Sequence, residues 1–186
     1  MAVFFISDTH FNHDNVITYE NRPFNNVEEM NEAIINNWNS VVGKNDIVYH
    51  LGDFILHYDN IHDIVDRLNG KIILLRGNHD GKSISYYNKL GFECVKTYTK
   101  LDEYKFILSH RPLNDYDIPF GYVNIHGHIH SKKLNSDFNP NLHYNVSVEN
   151  INYKPIKVEE LLKLVQKYST LSKGARCYEK NNICSK

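Results

Sequence analysis

One stretch constrains the fold of this chain more than any other, an apolar run that leads into Gly77-Asn78-His79-Asp80. The run, at residues 72–75, has the pattern of a buried strand in a parallel sheet. The polar side chains that follow it therefore stand at the carboxyl end of a core strand, where open α/β sheets bind their ligands. Gly-Asn is also an ordinary turn signal, so the tetrapeptide taken alone fits a simple turn as well.

Other apolar runs end in the same way, with carboxylate or imidazole side chains directly after them. Because the carboxyl ends of parallel strands meet at one rim of a sheet, we expect these side chains to converge. Seven nitrogen and oxygen donors are more than one tetrahedral metal site can use, and they suit two adjacent ions that share a carboxylate. No thiolate is among them, which favours Mn, Fe, Zn or Ni. The seven donors are Asp8, His10, Asp53, Asn78, His110, His128 and His130.

Each of these groups has a plainer interpretation when it is taken alone. Asp8 fits a helix cap, and Gly52-Asp53 fits a turn. A single histidine near a strand is more often a core or surface residue than a ligand. We place five of the eleven histidines in that class: His50, His57, His62, His126 and His143. The recurrence of the pattern after successive runs favours a shared metal site.

The first half of the chain alternates predicted strands and helices, which favours a parallel sheet. The longest predicted helix has apolar residues at three- to four-residue spacing and two glutamates in its first turn, where the helix dipole favours them. The Asn-rich stretch Phe11–Asn26 contains a proline and is predicted to be a loop. Strands are predicted at Val3–Ser7, Asp46–His50 and Ile72–Leu75, and helices at Val27–Asn39, Asn60–Leu68 and Ser83–Leu90.

In the second half, strand-like runs follow one another with short or Asn-rich connections, which predicts a second, mixed or antiparallel sheet. These runs are Cys94–Thr99, Tyr104–Ser109, Tyr122–Ile125 and Leu142–Val148. A closing helix is predicted at Val158–Tyr168. We expect residues 1–168 to form a single domain and residues 169–186 to form a polar tail.

The composition argues against several classes of function. The 186 residues have a formal net charge of -1 and no basic stretch, so we expect no long nucleic acid as a partner. No apolar run reaches membrane-spanning length, and Met1 leads into a strand rather than a signal peptide, so we expect no membrane association. Three cysteines without paired spacing indicate no disulfide framework and fit a reducing cytoplasm. The oligomeric state stays open.

The strand-end motifs resemble, in order, the five signature blocks of the calcineurin-like metallophosphoesterases. The small size is similar to that of the minimal phosphoesterases of bacteria and phages. The resemblance implies an α/β fold, a four-layer αββα sandwich with two mixed β-sheets. The motifs are Asp8-Thr9-His10, Gly52-Asp53, Gly77-Asn78-His79-Asp80, His110 and Gly127-His128-Ile129-His130.

The resemblance also implies a role for each group. Asp53 and a water or hydroxide would bridge two divalent metal ions. The hydroxide would attack phosphorus in line with the leaving oxygen, and His79 would stabilise or protonate the leaving group as the catalytic residue. One ion would be held by Asp8, His10, Asp53 and His130, and the other by Asp53, Asn78, His110 and His128.

Four further residues are candidates for secondary roles. Asn12 and His13 follow the first motif and are expected to border the substrate pocket. Arg111, next to His110, is a candidate for binding a phosphate oxygen, with a surface salt bridge as the equal alternative. Asp80 is expected either to orient a neighbouring ligand or to form a turn.

The sequence departs from some relatives in a way that narrows the substrate. Protein Ser/Thr phosphatases and symmetrical dinucleoside tetraphosphatases have an Arg shortly after the Gly-Asp motif, whereas residues 52–57 contain none. The chain also lacks room for a large capping domain. A small, open site favours compact phosphodiesters such as cyclic nucleotides. The resemblance thus predicts a metal-dependent phosphoric ester hydrolase that acts on a small phosphoester, a phosphodiesterase rather than a monoesterase.

Other functions stay open beside this one. The retromer subunit with this fold has a similar size and serves as a binding module after losing ligands or the catalytic histidine. In the present sequence no predicted ligand is missing and His79 is present, which favours an enzyme. Phosphomonoester hydrolysis is a further alternative. A DNA nuclease would call for a basic surface or an added domain, and the sequence has neither.

Overall fold

The computed structural model describes residues 1–166, which fold around two mixed β-sheets. Four parallel strands of the first sheet lie in the order β4-β3-β2-β1, so the carboxyl ends of β1, β2 and β3 meet at one edge. This edge receives the polar motifs that follow each strand. The four strands are β1 (Val3–Ile6), β2 (Ile47–His50), β3 (Lys71–Leu75) and β4 (Cys94–Lys96).

The second sheet has four strands, in the order β5-β6-β7-β8. They are β5 (Tyr98–Leu101), β6 (Phe106–Ser109), β7 (Val123–His126) and β8 (His143–Asn145). β5 runs antiparallel to β6, whereas β6, β7 and β8 are parallel to one another. A further strand, β9 (Ile156–Lys157), returns to the first sheet and pairs antiparallel with β1. Both sheets are therefore mixed, as expected.

The two sheets pack against each other through large apolar side chains. The ring of Phe5 on β1 meets the ring of Phe106 on β6 edge to face, with the ring centroids 5.9 Å apart. Ile6, Leu108 and Ile125 are fully buried in the same core. Burying one such side chain stabilises the fold by about 1.5–3 kcal/mol. This shared core holds the strand ends of both sheets in a fixed relation.

Helices flank the sheets. The longest, α2, is capped at its N-terminus by Asn26, whose side chain accepts a hydrogen bond from the amide of Glu29 at 2.8 Å. Its apolar face buries Met30, Ile34 and Trp38. No helix within residues 1–166 is long and apolar enough to cross a lipid bilayer. The helices are α1 (Asp14–Tyr19), α2 (Val27–Asn39), α3 (Ile61–Val65), α4 (Ile84–Lys89) and α5 (residues 158–166).

Two regions correct the sequence prediction. The stretch Phe11–Asn26, predicted as a loop, contains α1. Val16 is the one buried residue of this helix, so the helix has no apolar stripe that a sequence pattern could reveal. The run Cys94–Thr99, predicted as one strand, is divided between β4 and β5, which belong to different sheets. A continuous strand-forming pattern does not show where a chain crosses between sheets.

Smaller differences concern the ends of elements. The predicted strand Leu142–Val148 pairs with β7 at His143–Asn145, and the predicted helix Asn60–Leu68 is confined to Ile61–Val65. β9 spans two residues and is too short to produce a periodic pattern. The predicted helix end and domain boundary at residue 168, and the predicted tail, lie outside the described residues.

Candidate metal centre

The segments after β1 and β2 run side by side beyond the first sheet and carry the first candidate ligands. The amide of Asp8 donates a hydrogen bond to the carbonyl of Gly52, and the amide of His10 donates to the carbonyl of Asp53, both at 3.0 Å. Asp8, His10 and Asp53 have φ angles of 58°, 49° and 54°. Residues other than glycine adopt this left-handed conformation at a cost, which the surrounding structure must offset. Such strain is common at functional sites.

Two glycines allow the strand-end segments to approach closely. A Cβ atom at Gly77 would overlap the carboxylate of Asp53, and one at Gly127 would overlap the side chains of Ser7 and Asp8. The space between segments therefore requires glycine at both positions, beyond any role in a turn.

The candidate ligands form two groups, and a carboxylate oxygen of the second group faces a histidine of the first. Oδ2 of Asp53 lies 3.6 Å from Nε2 of His10 and 3.4 Å from Nε2 of His110. The amide oxygen of Asn78 lies 3.0 Å from the same nitrogen of His110. Donor atoms within 4.8 Å of one another define the two groups, which are Asp8, His10 and His130 in the first and Asp53, His110 and His128 in the second.

These donors fit divalent cations. Oδ1 of Asp8 and Nε2 of His10 are buried and have no hydrogen-bond partner in the described part of the chain, although buried polar atoms are almost always paired. A cation in the first group would satisfy both atoms. Burial also lowers the pKa of His10 to about 2, so its imidazole is neutral and able to bind a metal ion.

Asp53 keeps its negative charge in its buried position. Burial alone would raise the pKa of this carboxyl. The hydrogen bond and charge of His110, together with the amide of His79, outweigh burial and hold the pKa below its ordinary value. The oxygen between the two groups therefore belongs to an ionised carboxylate.

His79 lies beside the two groups without belonging to either. Its amide donates a hydrogen bond to Oδ1 of Asp53 at 2.8 Å, and its ring centroid lies 5.2 Å from that of His10. His13 borders the same side, with its Nδ1 3.3 Å from Nδ1 of His10. His79 is exposed and His13 is partly exposed, so both line the solvent side of the first group.

The two remaining substrate candidates differ in how their side chains are held. The Asn12 amide donates to the carbonyls of His57 and Asp59 and accepts a hydrogen bond from Asn31. These contacts tie it to neighbouring loops rather than to the ligand groups. Arg111 is exposed and lines a cleft together with Asn78 and His110.

Comparison with known proteins assigns the family. A family model described as calcineurin-like phosphoesterase matches residues 1–180 of the chain. The chain belongs to the calcineurin-like phosphoesterase family. Members of this family typically bind two divalent metal ions, and the two ligand groups of this phosphoesterase agree with that number.

Two relatives resemble this phosphoesterase over most of their length. An uncharacterised protein from Methanocaldococcus jannaschii is 44% identical over 173 residues, which cover 89% of the chain and 92% of the relative. A solved structure of a protein of unknown function from Aquifex aeolicus has a TM-score of 0.69 and 28% identity, and the match covers 88% of the chain and 98% of that structure. A nuclease from Pseudomonas putida is a weaker likeness, with a TM-score of 0.48 and 21% identity over 69% of the chain and 61% of its own length.

Two buried side chains that no sequence pattern indicated support the first ligand group of the phosphoesterase. Oε1 of Glu149 lies 3.0 Å from Nδ1 of His130 and accepts hydrogen bonds from Arg22 at 2.9 and 2.7 Å. Arg22 also donates to the carbonyl of Asp8 at 2.7 Å. Metal-binding histidines usually donate their second ring N–H to such an acceptor. Arg22 and Glu149 are 127 positions apart, so no local pattern links them.

The second group has a comparable support from the backbone. Nδ1 of His110 lies 2.8 Å from the carbonyl of Leu51, so this nitrogen carries a proton, and Nε2 faces the oxygens of Asn78 and Asp53. The Asp80 carboxylate accepts hydrogen bonds from the amides of Asp53 and Gly77, each at 2.8 Å, and of Phe54 at 3.1 Å. Asp80 therefore both closes the turn at Gly77 and orients the segment that carries Asp53.

The five histidines that the sequence assigned to core or surface positions lie outside both ligand groups. His50 is buried, with Nε2 3.0 Å from the hydroxyl of Thr9. His126 and His143 are buried beside each other, and His143 pairs with Asp115 at 2.9 Å. The other two, His57 and His62, are exposed.

Proposed function

We propose that this chain is a dinuclear metal-dependent phosphodiesterase that acts on small phosphodiesters, cyclic nucleotides among them. The observation that carries the proposal is the position of Asp53 Oδ2, 3.6 Å from Nε2 of His10 and 3.4 Å from Nε2 of His110. One carboxylate oxygen between two imidazoles suits a pair of cations that share a ligand. One ion would be held by Asp8, His10, Asp53 and His130, and the other by Asp53, Asn78, His110 and His128.

Two divalent ions bound there would neutralise charge on the phosphoryl group and lower the pKa of a water molecule toward ~7. In the proposed reaction the water oxygen bonds to phosphorus while the bond from phosphorus to the leaving oxygen breaks. His79 gives a proton to the leaving oxygen and recovers one from the water. The products of an open-chain diester are a phosphomonoester and an alcohol or phenol, and a cyclic nucleotide yields one nucleoside monophosphate that carries both groups.

One observation favours a diester over a monoester. A cleft of about 550 Å³ opens beside Asn78 and His110 and offers room for a second ester group. The segment after Asp53 supplies Phe54 and Ile55 to the core and contains no arginine, which disfavours phosphoprotein and dinucleoside polyphosphate substrates. We further propose manganese as an activating ion and a reducing cytoplasm as the compartment, with no long nucleic acid as substrate.

A substrate screen tests this proposal. The purified chain is stripped of metal and reloaded separately with Mn, Fe, Zn or Ni. It is then assayed against p-nitrophenyl phosphate, bis(p-nitrophenyl) phosphate and the 2′,3′- and 3′,5′-cyclic nucleotides. We expect turnover of diesters in the loaded chain and little turnover of the monoester. Binding of two ions without turnover of any ester would favour the non-catalytic scaffold instead.

A further inference from the structure

The cleft beside the second ligand group combines positive charge with an apolar surface. Its lining includes Asn78 and His110 of the candidate metal centre and the guanidinium groups of Arg76 and Arg111. The ring of Tyr98 and the side chains of Ile107 and Leu113 form its apolar part, and Asp117 adds one carboxylate. A phosphate ester with a flat apolar substituent matches this combination.

The apolar part of the cleft is built on one face of the second sheet. Tyr98 on the edge strand β5 pairs with Ser109 on β6, so their side chains stand on the same face. Ile107 precedes Ser109 by two residues and shares that face. The ring of Tyr98 is 61% exposed, which leaves one large aromatic surface open to a ligand.

A buried amide joins Leu113 of the cleft to strand β6. Asn124 is fully buried, and its side chain donates hydrogen bonds to the carbonyl of Ile107 at 3.0 Å and the hydroxyl of Ser109 at 2.9 Å. Its amide oxygen accepts a hydrogen bond from the backbone of Leu113 at 2.9 Å. Leu113, in the loop that follows Arg111, is therefore tied through Asn124 to the strand that carries Ile107 and Ser109.

The charged part of the cleft is also ordered. Nε and Nη2 of Arg76 donate to the carbonyl of Asp80 at 3.1 and 2.9 Å, which fixes the guanidinium beside Asn78. Arg111 directly follows His110 and is exposed. Two guanidinium groups against the single carboxylate of Asp117 favour an anionic ligand at this end.

The position of His79 indicates which ester group would enter the cleft. The ring of His79 lies against His10 and His13, with centroid distances of 5.2 and 6.3 Å, on the side of the first ligand group. The cleft borders His110, on the side of the second group. A leaving group protonated by His79 would therefore depart away from the cleft.

We propose that the cleft binds the ester group that stays on phosphorus, and that this group is a nucleoside whose base stacks on Tyr98. Arg111 contacts the phosphate in the same complex. This inference rests on the proposed function and extends it, because it identifies nucleotide-type diesters as the preferred substrates. Stacking of a base on an aromatic side chain tolerates every base, so we expect weak discrimination among bases.

Two synthetic diesters with the same leaving group test the proposal. One is the p-nitrophenyl ester of thymidine 5′-monophosphate and the other is methyl p-nitrophenyl phosphate. In the Mn-loaded chain, Tyr98→Ala is expected to raise KM for the thymidine ester about tenfold and to leave KM for the methyl ester unchanged. Tyr98→Phe is expected to restore the parent value, because the ring rather than the hydroxyl stacks.

Two further variants separate the parts of the cleft. Arg111→Gln is expected to raise KM for both esters by a similar factor, because both carry the same phosphate. The matched control is Tyr116→Ala, since Tyr116 is fully exposed and does not line the cleft. This variant is expected to leave KM unchanged for both esters. An equal effect of Tyr98→Ala on both esters, or no effect on either, would overturn the proposal.

A binding measurement keeps this test separate from the proposed function. Thymidine 5′-monophosphate and methyl phosphate are titrated calorimetrically into the Mn-loaded parent and into Tyr98→Ala. We expect the substitution to weaken binding of the nucleotide about tenfold and binding of methyl phosphate not at all. Failure of the parent to hydrolyse either ester would overturn the proposed function. Nucleotide binding that is independent of Tyr98 would overturn the assignment of the cleft.

Discussion

The carboxylate of Asp80 accepts a hydrogen bond from the backbone amide of Asp53 at 2.8 Å, and this contact joins two strand-end segments of the candidate metal centre. Asp80 is buried and also accepts hydrogen bonds from the backbone amides of Phe54 and Gly77. The position of the Asp53 carboxylate, which lies close to both His10 and His110, therefore depends on a side chain that belongs to neither ligand group.

Replacing Asp80 with Ala should destabilise the fold and weaken metal binding together. The substitution leaves three backbone amides without their acceptor, and hydrogen bonds to a charged group contribute about 1.5–3 kcal/mol each. We expect the free energy of unfolding to fall by about 4–5 kcal/mol, the low end of the sum of three such bonds, measured by urea denaturation of the metal-free chain. Asp59→Asn, at an exposed position, serves as the control and should lie within about 0.5 kcal/mol of the parent.

Asp53→Asn should remove or disorder both metal ions. Its Oδ2 lies between the two groups, and a neutral amide cannot replace an ionised carboxylate that two cations share. Metal analysis of the purified variant is expected to find far less than the two ions per chain expected of the parent. Two tightly bound ions in Asp53→Asn would contradict the shared-ligand arrangement.

His79→Ala should keep both metal ions and lose most turnover. A general acid contributes about 10²–10⁴-fold to the rate, so we expect a loss in this range for diesters with poor leaving groups. The loss should be smaller for bis(p-nitrophenyl) phosphate, because nitrophenolate departs without a proton. His62→Ala, on the exposed surface of α3, is the matched control. Parent rates for His79→Ala with every ester would refute the role.

Glu149→Gln should weaken one of the two metal sites. Glu149 holds Nδ1 of His130 and the guanidinium of Arg22, and loss of such a partner typically costs 10–100-fold in metal affinity. Calorimetric titration with Mn is expected to show about this decrease in affinity in only one of the two binding steps. Glu160→Gln, at an exposed position of α5, should match the parent. An equal decrease in both steps would point to a general loss of structure.

The pair formed by Asp115 and His143 should make stability depend on pH in the acid range. The hydrogen bond with His143 holds the pKa of Asp115 below its ordinary value of 3.8. A lowered carboxyl pKa contributes stability above the unfolded value, and that contribution disappears as the pH falls through the folded value. Urea denaturation of the metal-free chain between pH 5 and pH 3 is the measurement. As the pH falls, the free energy of unfolding should decrease less in Asp115→Asn than in the parent. Equal losses would mean that the pair contributes nothing.

The sequence by itself determined the parts of this protein that repeat a local pattern. The bounds of α2 were predicted as observed, because a helix that buries one face must place apolar residues at a regular spacing. β1, β2 and β3 were found from short apolar runs, since strands buried on both faces are apolar throughout. The convergence of the polar motifs after these strands was predicted because the carboxyl ends of parallel strands meet at a common edge.

Only the tertiary structure decided which side chains hold those motifs in position. Arg22 and Glu149 meet across 127 positions, and Asp80 bonds to Asp53 across 27. A polar contact between distant segments needs one residue on each side and leaves no periodic trace in either. The split of Cys94–Thr99 between two sheets was hidden for a related reason. Strand-forming residues satisfy their hydrogen bonds in either sheet, so packing of the whole chain decides between them.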